Sequence, residues 1–143
     1  MYQVMSTSTN ILKKHSLRIT PFRLDVIDIF IKAGHAMSSA ELEVMLEKSD
    51  RITLYRTLKS FEDKGVIHRA IDGTLTQKYA LCAPHCDEHH HHDEHVHFHC
   101  QLCENTFCLE GVYVPKVTLP TGFKINQTDM IVNGICEKCG NRP

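Results

Sequence analysis

Two pairs of cysteines, Cys100-x-x-Cys103 and Cys136-x-x-Cys139, stand in the last third of this 143-residue chain. A Cys-x-x-Cys pair lets two thiolates reach one ion from a single tight turn. Two pairs complete a closed tetrahedral shell of four sulfurs, which suits zinc. Just ahead of Cys100 lies the densest histidine run of the chain, with His89, His90, His91, His92, His95, His97 and His99. A four-sulfur site does not need these imidazoles, so this surplus of borderline ligands needs its own explanation. The chain has seven cysteines. They read as metal ligands and not as a disulfide framework, because disulfides do not require the two-residue spacing twice.

Alternate residues of a strand share a face, so in a strand over 95–100 His95 and His97 point the same way, about 7 Å apart at their Cα atoms. Two imidazoles so placed can share one ion. His99 lies on the same face and is a further donor. Cys100 points to the other face, which keeps two metal centres apart. The polar run after Cys82, with His85, Cys86 and His89 to His92, reads as a solvated or weakly binding loop. Its alternatives are a labile second site or a segment that captures metal. Cys108 reads as core packing or an alternate ligand.

These donors need a scaffold. Phe22, Val26, Ile29, Phe30 and Ala33 follow a helical period, with Thr20-Pro21 as cap and first turn and Gly34 as the stop. Ser38 or Ser39 can cap a short second helix carrying Leu42, Met45 and Leu46. A third helix starts near Ser49-Asp50, keeps Leu54, Leu58 and Phe61 on one face, and ends at Lys64-Gly65. Two strand-like runs, 66–71 and 77–81, flank the turn Asp72-Gly73-Thr74. Three helices followed by a hairpin is the layout of a winged helix-turn-helix. Further strand-like stretches lie near 95–100, 106–112 and 124–136, and Pro115 and Pro120 interrupt the segment between the last two. The expected fold class is α+β: a winged helix-turn-helix over 1–82, a His/Cys-rich linker over 83–94, and a small α/β metal-binding domain over 95–143.

Charge divides the same way. Residues 1–81 hold 12 Lys/Arg against 9 Asp/Glu, and residues 82–143 hold 4 against 8. A mildly basic front and an acidic, ligand-rich back suggest two jobs. Off the buried stripe, the third helix offers Arg51, Tyr55, Arg56, Lys59 and Glu62, and upstream lie Lys13, Lys14, Arg18 and Arg23. Arginine can read guanine edges or bind phosphates, and tyrosine offers a flat apolar body with a hydroxyl. The same residues also fit a plain solvated helix face. No apolar run approaches the roughly 20 residues that span a bilayer, and the first ten residues lack the features of a signal peptide. A cytoplasmic protein is expected.

Arg18-Ile-Thr20-Pro-Phe-Arg23, Thr53-Leu-Tyr55-Arg56-Thr-Leu58, Lys64-Gly65-Val-Ile, His95-Val-His97-Phe-His-Cys100-x-x-Cys103 and Gly134-Ile-Cys136-x-x-Cys139 occur in this order. The set resembles the ferric uptake regulator superfamily from about residue 10 to 140. The resemblance implies a homodimeric, metal-sensing repressor that binds a double-stranded, palindromic DNA operator, with the C-terminal domain as the dimerisation domain. It implies Tyr55 and Arg56 as the main base-reading positions, Arg18 near the minor groove, and Arg23, Thr53 and Lys59 as further contacts. The zinc-responsive branch is the more similar one. It implies a sensing shell of His68, Cys82, His95 and His97, which suits zinc better than iron(II).

The departures point the same way. The iron- and peroxide-sensing branches place a histidine where this chain has Ala36, with His35 one residue off. They place a carboxylate where this chain has Cys108. A dimer-side site would use carboxylate or histidine residues where this chain has Val96 and Thr128. The segment 113–122 is shorter than the helix the family usually has there. The expected cofactors are therefore a structural Zn2+ and a regulatory Zn2+, with Fe2+ as the alternative. Two other classes fit part of the pattern. A zinc chaperone or store leaves Tyr55-Arg56 without a purpose. A zinc hydrolase or deaminase would use His92-Asp-Glu94, yet it needs an open coordination position.

Overall fold

The computed structural model describes residues 2–47, 50–82 and 95–142, with side chains described from residue 7 onward. The whole linker, 83–94, including His85, Cys86 and His89 to His92, lies outside the described residues.

The first helix, α1 (Tyr2–Lys14), is absent from the periodicity reading. Its Leu12 is fully buried in the same core as α2, and its Ser8 hydroxyl donates to Asp28 of α2. Helix α2 (Pro21–Ala33) is bounded as its punctuation predicts. Thr20 Oγ1 accepts from the Arg23 amide at 3.2 Å, and Gly34 closes it in the left-handed region at φ 68°. Val26, Ile27 and Phe30 are its buried residues. Ile27 falls outside the expected stripe and Ile29 is only half-buried, because α1 adds a second neighbour that widens the buried face.

A two-residue strand, β1 (Met37–Ser38), leads into α3 (Ser39–Met45). Ser38 caps α3 by accepting from the Glu41 amide at 3.1 Å, and the Glu41 carboxylate accepts from the Ser38 hydroxyl at 3.2 Å. Helix α4 (Arg51–Asp63) is capped by Asp50 and buries Leu54, Thr57, Leu58 and Phe61. The hairpin strands are β2 (Ile67–Ala70) and β3 (Lys78–Leu81), and the antiparallel sheet runs β1-β3-β2. Phe61 is the largest fully buried side chain. Phe61→Ala is expected to cost about 3–5 kcal/mol, read as a lower chemical denaturation midpoint at unchanged slope.

The second unit is a three-stranded sheet ordered β5-β4-β6. Its strands are β4 (Val96–Cys100), β5 (Thr106–Leu109) and β6 (Met130–Gly134), followed by the short α5 (Glu137–Gly140). Strands β4 and β5 are antiparallel, whereas β4 and β6 are parallel. The last two strands are shorter than the stretches 106–112 and 124–136 suggest. Residues 112–129 form neither helix nor strand and are largely exposed, so the expected interruption around Pro115 and Pro120 extends over the whole connection. The Ala36 amide donates to the Thr106 carbonyl at 2.7 Å, which joins the two units beside β1. The architecture is α+β, a winged helix-turn-helix followed by a small α/β unit. Among the described residues no helix is long and apolar enough to cross a membrane.

Candidate metal centres and nucleic-acid interface

Strand β4 is the element from which both metal centres are built. Its Cys100 is fully buried and pairs with Gly134 of β6 in parallel register. That register brings the Cys136-x-x-Cys139 turn, at the start of α5, onto the Cys100-x-x-Cys103 turn. The Sγ atoms of Cys100, Cys103, Cys136 and Cys139 all lie within 4.8 Å of one another, with Cys103 and Cys136 3.8 Å apart. A tetrahedral ion with bonds of about 2.3 Å holds its sulfurs about 3.8 Å apart, so the four residues fit zinc. The Cys136 amide donates to Cys100 Sγ at 3.3 Å. Amides of Cys103 and Cys136 favour the Cys100 thiolate and bring its pKa down to about 6, whereas burial pushes the Cys139 thiol up to about 12. The six described cysteines form no disulfide.

The opposite face of β4 carries the imidazoles. Ring centroids of His95 and His97 are 4.5 Å apart, and His68 of β2 reaches across to within 4.8 Å of His95 and 5.8 Å of His97. The antiparallel register sets Cys108 of β5 directly opposite His97. Cys108 Sγ lies 3.2 Å from His68 Nε2. One donor atom from each of His68, His95, His97 and Cys108 lies within 4.8 Å of the others. Such a set of three nitrogens and one sulfur fits a tetrahedral ion as well. Burial, with Glu110 adding to it, pushes the Cys108 thiol up to about 12, so an ion bound there must displace its proton.

Cys82, expected in this shell, stands behind it. Its Sγ is 3.4 Å from His68 Nδ1, the nitrogen turned away from Cys108. The group of four therefore contains Cys108 where the resemblance implies Cys82. The reason is register: a five-residue connection from Cys100 to Thr106 fixes which residue of β5 faces His97. His99, the further donor on this face, is drawn elsewhere: its Nδ1 lies 3.2 Å from Thr106 Oγ1. His35 is set apart too, with Nδ1 2.9 Å from the Ala36 carbonyl oxygen. A cleft lined by Glu62, His68, Arg69, His97, Gln127 and Asp129 leads to the imidazoles from outside.

The third element is α4. Tyr55 is 66% exposed, and Arg56 and Lys59 beside it are exposed. Thr53 is exposed, and its amide and hydroxyl both donate to the Asp50 carboxylate, at 2.6 and 2.8 Å. Those bonds hold the Asp50 carboxyl below its usual range and fix the first turn of α4. Arg18 is exposed and its carbonyl accepts from Arg23 Nη1 at 2.8 Å, which ties the two arginines together ahead of α2.

The sequence profile of the Ferric uptake regulator family matches residues 14–117. A ferric uptake regulation protein of Staphylococcus aureus is 31% identical over 138 residues, covering 90% of this chain and 93% of its own. Among solved structures, a zinc uptake regulator complexed with zinc and DNA superposes with a TM-score of 0.66 at 21% identity, over 97% of this chain and 94% of that one. The ferric uptake regulator of Vibrio cholerae superposes with a TM-score of 0.56 at 19% identity, over 89% and 98%.

Proposed function

The chain belongs to the ferric uptake regulator family, whose members are metal-responsive transcriptional repressors and not enzymes, and from that premise we propose that it represses metal-uptake genes in response to zinc. The observation that carries the choice of metal is the donor set of His68, His95, His97 and Cys108. Imidazole and thiolate suit zinc, and iron(II) sites of this kind keep more oxygen donors. No carboxylate joins that group among the described residues. Iron(II) is the second reading, favoured by the name of the 31% identical relatives.

In this reading Cys100, Cys103, Cys136 and Cys139 hold a structural zinc. His68, His95, His97 and Cys108 hold the regulatory ion, and Cys82 orients the His68 ring through Nδ1. With an ion bound there, His68 of β2 and His95, His97 and Cys108 of the second sheet would be held together, tying the wing to that sheet. Beside His68, Arg69 Nε donates to Glu62 of α4 at 2.9 Å, so fixing β2 also fixes α4. Two chains paired through the C-terminal unit then set their α4 helices for two half-sites of a palindromic operator. An apolar groove supports that pairing: Phe98, Phe107, Leu109 and Ile135 line it, and it is open to solvent. Metal and DNA binding favour each other equally by linkage. A cytoplasmic location follows from this role.

The test is operator selection from random double-stranded DNA, followed by binding at buffered free Zn(II) and, without oxygen, free Fe(II). Tight binding at far lower zinc than iron is expected. Binding that answers to iron alone gives the site to the second reading. Arg56→Ala is expected to weaken operator binding about tenfold to a hundredfold while metal affinity stays unchanged; equal affinity for the operator removes α4 from base reading.

A further inference from the structure

The wing hairpin meets the second sheet at two rungs on one face, with the Phe98–Phe107 pair between them. On the first, His97 pairs with Cys108 and faces His68. On the second, His99 pairs with Thr106 and faces Asp72, in the turn that follows β2. This second rung has the chemistry of a hydrogen-bonded joint. Asp72 is 3% exposed and Thr106 is fully buried. The Thr106 hydroxyl donates to Asp72 Oδ2 at 2.6 Å, accepts from Lys78 Nζ at 3.3 Å and lies 3.2 Å from His99 Nδ1. Lys78 Nζ, from β3, also donates to the Glu104 carbonyl at 2.7 Å and lies 3.3 Å from Asp72 Oδ2. Asp72 Oδ1 accepts from the Thr74 amide and hydroxyl at 2.9 and 2.6 Å.

One hydroxyl has one proton to give and two lone pairs to offer, and Thr106 uses all three. Burial pushes the Asp72 carboxyl up, but the bonds from Thr106, Thr74 and Lys78 outweigh it and hold the carboxyl well below its usual range. The joint thus contains a buried ion pair whose remaining hydrogen-bond needs are met within the protein, the condition under which such a pair holds a geometry. No part of it requires an ion.

We propose that Asp72, Thr106 and Lys78 form a metal-independent clasp that keeps His68 opposite Cys108 before the regulatory ion arrives. They are positioning residues for that site, and the second half of the inference rests on the reading of the site given above. The hinge between the units is then pinned at one of these rungs, and metal would close the other. A site assembled in advance binds more tightly than one that must first be gathered, since the population able to bind scales the apparent affinity.

The test uses the full chain loaded with one equivalent of zinc, so that the four-cysteine site is filled first. Exchange of the Ala36 amide, which donates to the Thr106 carbonyl across the joint, is followed by NMR. Protection is expected in the unsubstituted chain and in Thr106→Ser, with exchange at least about tenfold faster in Thr106→Val. Affinity for a second zinc, measured by chelator competition, should fall about tenfold in Thr106→Val and be kept in Thr106→Ser. The cobalt(II) spectrum of that site should be the same in all three. The clasp is refuted if Ala36 is unprotected until a second ion is added, or if Thr106→Val matches the unsubstituted chain in both readouts. A chain that takes up no second ion would instead overturn the reading of the regulatory site, and the exchange measurement would still decide the clasp.

Discussion

Cys108→Ser is expected to lower zinc affinity at the regulatory site about a hundredfold while leaving the four-cysteine zinc in place. Zinc sites of four protein ligands are worth about 10–16 kcal/mol, so one ligand carries roughly 3 kcal/mol, or about two powers of ten. Cys82→Ser is expected to do less, about tenfold, because Cys82 touches the far nitrogen of His68 and acts through the ring. Chelator competition on the two variants gives the ranking, and the sulfur-to-cobalt charge-transfer band tells which thiolate is bound. If Cys82→Ser abolishes that band and Cys108→Ser keeps it, the fourth ligand is Cys82 and the shell must be redrawn.

This pair of cysteines also marks how far the chain is legible. The four-cysteine centre is plain in the sequence because each pair is a local turn, and the spacing alone carries the chemistry. The caps at Thr20, Ser38 and Asp50 are legible for the same reason. Cys108 is not, since its place depends on which residue of one strand faces which of the next. Period-two alternation gives the face of His95 and His97 but not the partner across the ladder. The clasp is further still from view. Asp72-Gly73-Thr74 reads as a turn, and nothing local says that its aspartate meets a threonine 34 residues on. Helix α1 and the burial of Ile27 escape for a related reason: a second packing partner changes which side of α2 is inside.

The largest effect on stability is expected from the four-cysteine centre. From residue 95 onward, only Val96, His97, Cys100, Thr106 and Cys139 are buried among the described residues. Two of those five are ligands of the structural site, so the apolar core is too small to hold the sheet unaided. Exhaustive chelation is expected to withdraw on the order of 10 kcal/mol of metal-linked stability and unfold β4, β5 and β6. The winged helix, whose core around Phe30, Leu54 and Phe61 is independent of that ion, should remain. Hydrogen exchange by mass spectrometry would separate the two: full exchange over residues 96–140 with protection kept in α2 and α4. Retention of a folded second sheet without metal would mean that its core is sufficient, and the ligands would lose their structural role.

The parallel pairing of β4 with β6 has a consequence for the chain while it is being made. The elements of the winged helix, complete by Leu81, fold among near neighbours, and domains fold as units in the order they are synthesised. The central strand of the second sheet must wait for residues 130–134, and its sulfur cage for Cys139. A nascent chain therefore owns a DNA-reading surface well before it owns the part that governs it. Proteolytic fragments or premature stops between residues 82 and 139 should accordingly yield reading heads that no longer answer to metal.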